Sequence, residues 1–161
     1  MKTKNSVLLA AVAVTALGSL ALAQAPPADK PAHHHENLTG PARERHQAME
    51  QIGDAMKVLG GMAKGQRKFD AAVVKTEAGT IQERLEKAAT LFPPGSDEGE
   101  TKARPEVWSD RAGFDKGMKD AQAAARALQA VTDEAAFRPA LGALGKSCKE
   151  CHDRYRMADE H

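Results

Sequence analysis

Apolar residues recur at three- and four-residue spacing through four blocks of this chain, and little of it alternates as a strand does. Met49, Ile52, Met56, Leu59 and Met62 predict a helix from about Pro41 to Ala63, with the proline accepted in the first turn and Gly60, Gly61 and Gly65 marking the end. Val74, Ile81, Leu85 and Ala88 predict a second, from Asp70 as N-cap to about Leu91, where Phe92-Pro93-Pro94-Gly95 stops it. After a polar loop, Pro105 opens a third that continues to about Val131, with Val107, Phe114, Met118, Ala121, Ala125 and Leu128 inward. The fourth runs from about Asp133 to Met157, with Phe137, Leu141, Leu144, Cys148, Cys151 and Tyr155 on one seam. Pro139 is its one discord, expected to kink the first turns or delay the start. Short first and last connections give an all-α, antiparallel four-helix bundle.

The segments before the bundle carry a different pattern. Lys2 and Lys4 precede an apolar run from Ser6 to Leu22, and Ala21-Leu22-Ala23 is a small-x-small cleavage site, so residues 1–23 read as a signal peptide. An uncleaved membrane anchor is the alternative, since a span needs ~20 apolar residues; the cleavage motif favours removal before Gln24. Residues 24–37, rich in Pro and Ala and holding His33-His34-His35, read as a disordered linker. The remaining stretch, 38–161, suits one domain.

Charge narrows the function. Losing Lys2 and Lys4 takes 23 Lys+Arg to 21 against 22 Asp+Glu, a formal charge of −1, which argues for neither nucleic acid nor a docking tail. Removal of the signal also leaves no membrane segment. Export implies the periplasm, where a free thiol pair would be oxidised.

The only two cysteines stand in Cys148-Lys149-Glu150-Cys151-His152, the pattern of a c-type haem attachment site. Two thiols add across the haem vinyl groups, and the histidine that follows offers a ring nitrogen to iron. On a helix the three share one face. A redox dithiol competes, but it calls for a βαβ context. Half a zinc site competes too, but the second ligand pair is lacking unless the distant His33-His34-His35 supplies it. With one Trp, one Tyr and four Phe, the bundle is poor in large side chains, and a buried porphyrin adds apolar volume.

Over roughly Pro41 to Arg156 the chain resembles the cytochromes c′, the class II c-type cytochromes. The attachment site lies near the C-terminus; Ala103-Arg104-Pro105-Glu106-Val107-Trp108-Ser109-Asp110 is similar to the family's segment opening the third helix. Phe92-Pro93-Pro94-Gly95 resembles the loop before it, and Cys148 to Arg156 resembles the fourth helix almost position by position. The resemblance implies one covalent haem c on Cys148 and Cys151 with His152 as axial ligand. It implies Met49 as the distal residue, Arg45 beside a haem propionate and Arg156 beside the proximal pocket. His46 and Lys102 fall at positions near the propionates but differ in type from relatives, and Phe92 walls the haem edge or is simply core.

The resemblance further implies five-coordinate iron under an apolar distal wall, which takes small gaseous ligands, nitric oxide and carbon monoxide, and can exchange one electron. The alternative is a low-spin branch in which Met49 is the sixth ligand and the protein is purely an electron carrier, served by an unidentified periplasmic redox partner. No placed distal acid, base or cation argues for an enzyme. A homodimer is expected through the first two helices, with Ala48, Ala55, Ala63, Ala71, Ala78 and Ala89 allowing close approach.

Overall fold

The computed structural model describes residues 38–97 and 101–158, so the signal peptide and the linker lie outside the described residues. The helices are α1 (Gly40–Ala63), α2 (Ala71–Ala89), α3 (Glu106–Ser109), α4 (Arg111–Gln129) and α5 (Glu134–Tyr155). Four of them form the antiparallel bundle; α3 is a single extra turn. Asp70 caps α2 as expected, its carboxylate accepting the N–H groups of Ala72 and Val73. Asp133 caps α5 through the N–H of Ala136. A Schellman motif closes α1: Gly65, at φ +72°, donates to Met62 O and Gln66 donates to Gly61 O. After α2, Pro94 and Gly95 (φ +79°) occupy the centre of a turn closed by Ser96 N–H to Pro93 O, a type II arrangement.

Packing is broad between α1 and α2, α2 and α4, and α4 and α5, whereas α1 and α5 barely touch. The expected inward residues of α2 and α4 are all buried. Those of α5 are buried at Phe137, Leu141, Leu144 and Tyr155, but Cys148 and Cys151 are only half-buried at the edge of the core.

Three expectations are corrected. The third helix is not continuous: Asp110, at φ −116° and ψ +53°, breaks it into α3 and α4. Of the two effects expected of Pro139 only the delayed start is corrected, since α5 begins at Glu134 with the proline inside it. On α1 the buried series is Arg45, Ala48, Ile52, Ala55, Leu59 and Met62, while Met49 and Met56 are half-buried beside it. Ala48, Ala55 and Ala78 are therefore core residues, at most 3% exposed, and cannot line a dimer surface.

Asp110 earns its break through side-chain bonds. Its Oδ2 accepts the Tyr155 hydroxyl at 2.6 Å and Arg154 Nη2 at 2.7 Å. A methyl group at Gly113 would sit 2.3 Å from that oxygen and 2.5 Å from the tyrosine hydroxyl. Gly113→Ala should therefore lose a charge-assisted bond, roughly 1.5–3 kcal/mol, more than helix propensity returns at about 1 kcal/mol. Gly142→Ala, whose added methyl meets nothing within 4 Å, should gain that propensity. Thermal unfolding of the two holoproteins should shift in opposite directions; a rise for Gly113→Ala would contradict the packing.

Candidate haem site between α1 and α5

The buried face of α5 orients its half-exposed flank. Cys148 and Cys151 are half-buried one turn apart, and His152 follows in solvent contact. Cys151 packs against the backbone of α4, where a methyl group on Gly117 would lie 3.8 Å from its Sγ. Burial pushes both thiols up, Cys151 to about 11 with Cys148 contributing. A reactive redox dithiol needs a lowered thiol pKa, so the structure disfavours that reading. Burial, then Arg156, lowers the His152 pKa, which keeps the imidazole neutral, the form that binds a metal.

Opposite, on α1, Met49, Gly53, Met56 and Gly60 follow one another along the half-buried flank. A methyl group built on Gly53 or Gly60 meets nothing within 4 Å. Two thiols and a neutral imidazole on one helix, a side-chain-poor apolar flank on the other and slight contact between them fit a flat apolar cofactor.

Arg45 is 6% exposed. Its Nη1 donates to Leu91 O at 2.8 Å and Ser96 Oγ at 3.0 Å, and its Nη2 to Ser96 O at 2.8 Å and Thr101 Oγ1 at 3.2 Å. The guanidinium lies 4.7 Å from the Phe92 ring centre and 5.9 Å from that of Trp108. Desolvation lowers its pKa while Asp97 opposes the shift; an arginine stays charged throughout. The expected propionate partner is thus, first, the clamp of the α2–α3 loop. Phe92 belongs to the core, 4.7 Å edge-on to Phe114 and 6.1 Å from Trp108. His46 faces Glu50 at 3.3 Å.

The loop then reaches the other helix. Lys102 O accepts Met157 N–H at 2.8 Å, Arg104 N–H donates to Tyr155 O at 3.0 Å, and Ala103 bridges Arg156. Lys102 and Arg156 are exposed at this junction. Sequence reasoning missed Ser96, Thr101, Asp110 and Tyr155 as partners. The loop residues carry no periodic signal, and the Asp110–Tyr155 pair spans 45 positions.

Cys148→Ser and Cys151→Ser should each leave haem extractable by acidified organic solvent or yield no stable holoprotein; undiminished covalent haem in the double variant would refute the attachment. Arg45→Ala leaves the half-buried carbonyls of Leu91 and Ser96 without this donor and should destabilise by on the order of 3 kcal/mol. Lysine should rescue little, as its compact head does not reproduce the planar fork. Chemical denaturation of each variant measures both.

Comparison with known proteins shows the family. The family model described as Cytochrome C′ matches residues 41–156. A cytochrome c′ of Rhodopseudomonas palustris is 38% identical over 115 residues, covering 70% of this chain and 79% of that protein. A cytochrome c-556 of Agrobacterium tumefaciens is 34% identical over 120 residues, covering 73% and 98%. A nitric oxide complex of a mutant cytochrome c′ from Alcaligenes xylosoxidans superposes with a TM-score of 0.68 at 31% identity, over 76% of this chain and 99% of that one. With a covalently attached haem c, for which the two thiols of the last helix are the candidate anchors, the chain belongs to the cytochrome c′ family.

Proposed function

We propose that this protein is exported to the periplasm, binds nitric oxide and carbon monoxide at five-coordinate haem iron, and exchanges single electrons. The observation that carries the reading is the flank of α1, where Met49, Gly53, Met56 and Gly60 offer neither an N–H or O–H side-chain donor nor a charge. Cys148 and Cys151 would hold the haem through two thioethers, and its iron would supply one-electron chemistry and diatomic binding. His152 would offer a ring nitrogen to that iron. Met49 would line the ligand pocket, excluding polar ligands that need a hydrogen bond while admitting small neutral ones. His46, one turn earlier, is turned to Glu50. No side chain on this flank is an acid, base or cation placed for turnover, so we read the protein as a binding and electron-transfer protein rather than an enzyme. The nitric oxide complex of the Alcaligenes relative supports the choice of ligand.

Export rests on the signal-peptide pattern of residues 1–23. Among the described residues no helix is long and apolar enough to cross a membrane. Association as a homodimer now draws on Ala63, Ala71 and Ala89 alone, all half-buried.

A second reading keeps the same frame and makes the Met49 thioether the sixth ligand, giving a low-spin electron carrier. It is favoured by the sulfur at position 49 on the α1 flank. One optical spectrum of the purified holoprotein in each oxidation state divides the two. The expected result is a high-spin ferrous spectrum that responds rapidly to carbon monoxide and is little altered by Met49→Leu. A low-spin spectrum at neutral pH that becomes high-spin in Met49→Leu would establish the second reading.

A further inference from the structure

The last turn of α5 carries His152, and what holds that turn lies outside the haem flank. On its N-terminal side, Cys148 and Cys151 tie the helix to the cofactor. On its C-terminal side, Arg156 N–H donates to His152 O at 3.0 Å, Tyr155 O accepts Arg104 N–H of the loop, and Met157 N–H donates to Lys102 O. Tyr155 is the buried residue of this turn. Its ring stands edge-on to Phe114 at 5.4 Å and 87°, and its hydroxyl donates to Asp110 Oδ2 at 2.6 Å. The same oxygen takes Arg154 Nη2 at 2.7 Å, so two consecutive residues of the turn converge on one carboxylate. The neighbouring ion pairs of α5, Lys146–Glu150 and Lys149–Asp153, are solvent-exposed and join α5 only to itself.

A helix end without tertiary bonds frays. The imidazole hangs from that end, so its tilt and reach follow the backbone of residues 152–156. Ligands at a metal centre are commonly oriented by groups that do not touch the metal. Here the orienting groups act through the turn rather than through the ring.

We propose that Tyr155 and Asp110 are positioning residues for His152: they fix the final turn of α5 against the α3–α4 corner and so set how the imidazole meets the iron. The proposal rests on His152 as axial ligand, and its test separates the two claims. Asp110 is held ionised by the Tyr155 bond and by Arg154, and burial and the same bond push the Tyr155 phenol up to about 12, so the bond persists across the neutral range.

The test uses ferrous holoprotein, resonance Raman of the iron–imidazole stretch, the reduction potential, and hydrogen exchange at the amides of Arg104, Arg156 and Met157. Tyr155→Phe keeps the ring and removes the hydroxyl; it should broaden or shift the stretch, move the potential, and speed those three amides roughly tenfold. Asp110→Ala should do the same, whereas Asp110→Asn, which retains an acceptor oxygen, should stay close to the parent. Val74→Ala, a cavity in α2, should lower stability without moving the stretch or the potential. If Tyr155→Phe leaves both unchanged, or Val74→Ala moves them as much, the positioning role is overturned while His152 remains the ligand. If the parent shows no stretch sensitive to isotopic labelling of histidine nitrogen, the ligand assignment fails and the proposal with it.

Discussion

A four-helix bundle closes when each helix finds two neighbours, and in this protein α1 and α5 supply only slight contact to each other. The core formed along α1–α2–α4–α5 is continuous, yet its two outer helices present half-buried apolar flanks: Met49 and Met56 on one, Cys148 and Cys151 on the other. Every other feature of the site follows from this arrangement. Apolar flanks exposed along a seam favour a flat apolar occupant, since each Å² removed from water stabilises by about 25 cal/mol. Covalent attachment through two thioethers then fixes which helix that occupant travels with. The cofactor is at once part of the hydrophobic core and the reactive group.

Residues 101–104 link α1 to the end of α5. Thr101 Oγ1 accepts from Arg45 of α1, which also holds Leu91 and Ser96, while Lys102 and Arg104 pair their backbone with the end of α5. A buried guanidinium is costly unless its donors are satisfied. Here four acceptors and two aromatic faces offset that cost. Because Arg45 continues the buried series of α1, the loop is tied to the helix core rather than to its surface. Arg45 of α1, residues 101–104 and the end of α5 form one connected unit.

The sequence made the helices legible because their faces repeat at the helical period, and it exposed the attachment site because its chemistry demands five adjacent residues. It was less informative wherever a partner is distant or a small residue competes with a larger one. Met49 and Met56 are more hydrophobic than Ala48 and Ala55, so they read as the core face of α1. In the structure the alanines take it, where their small size admits close helix approach, and the methionines flank the seam. Asp110 left no trace because Val107 and Phe114 lie seven positions apart, two helical turns, and keep the stripe in phase across the break. Arg45 in the core, and its hold on Ser96 and Thr101, depend on a loop path that periodicity does not describe.

The same connectivity bears on the choice between the two functions. Met49 lies one turn after Arg45, so the bonds that hold the loop also fix the register of α1 where the distal side chain emerges. A thioether on a flexible stem can wall a pocket or bind a metal. Which it does depends on the distance and angle at which a rigid α1 presents it, and those are set by Arg45, Leu91 and Ser96, none of which lies on the α1 flank itself.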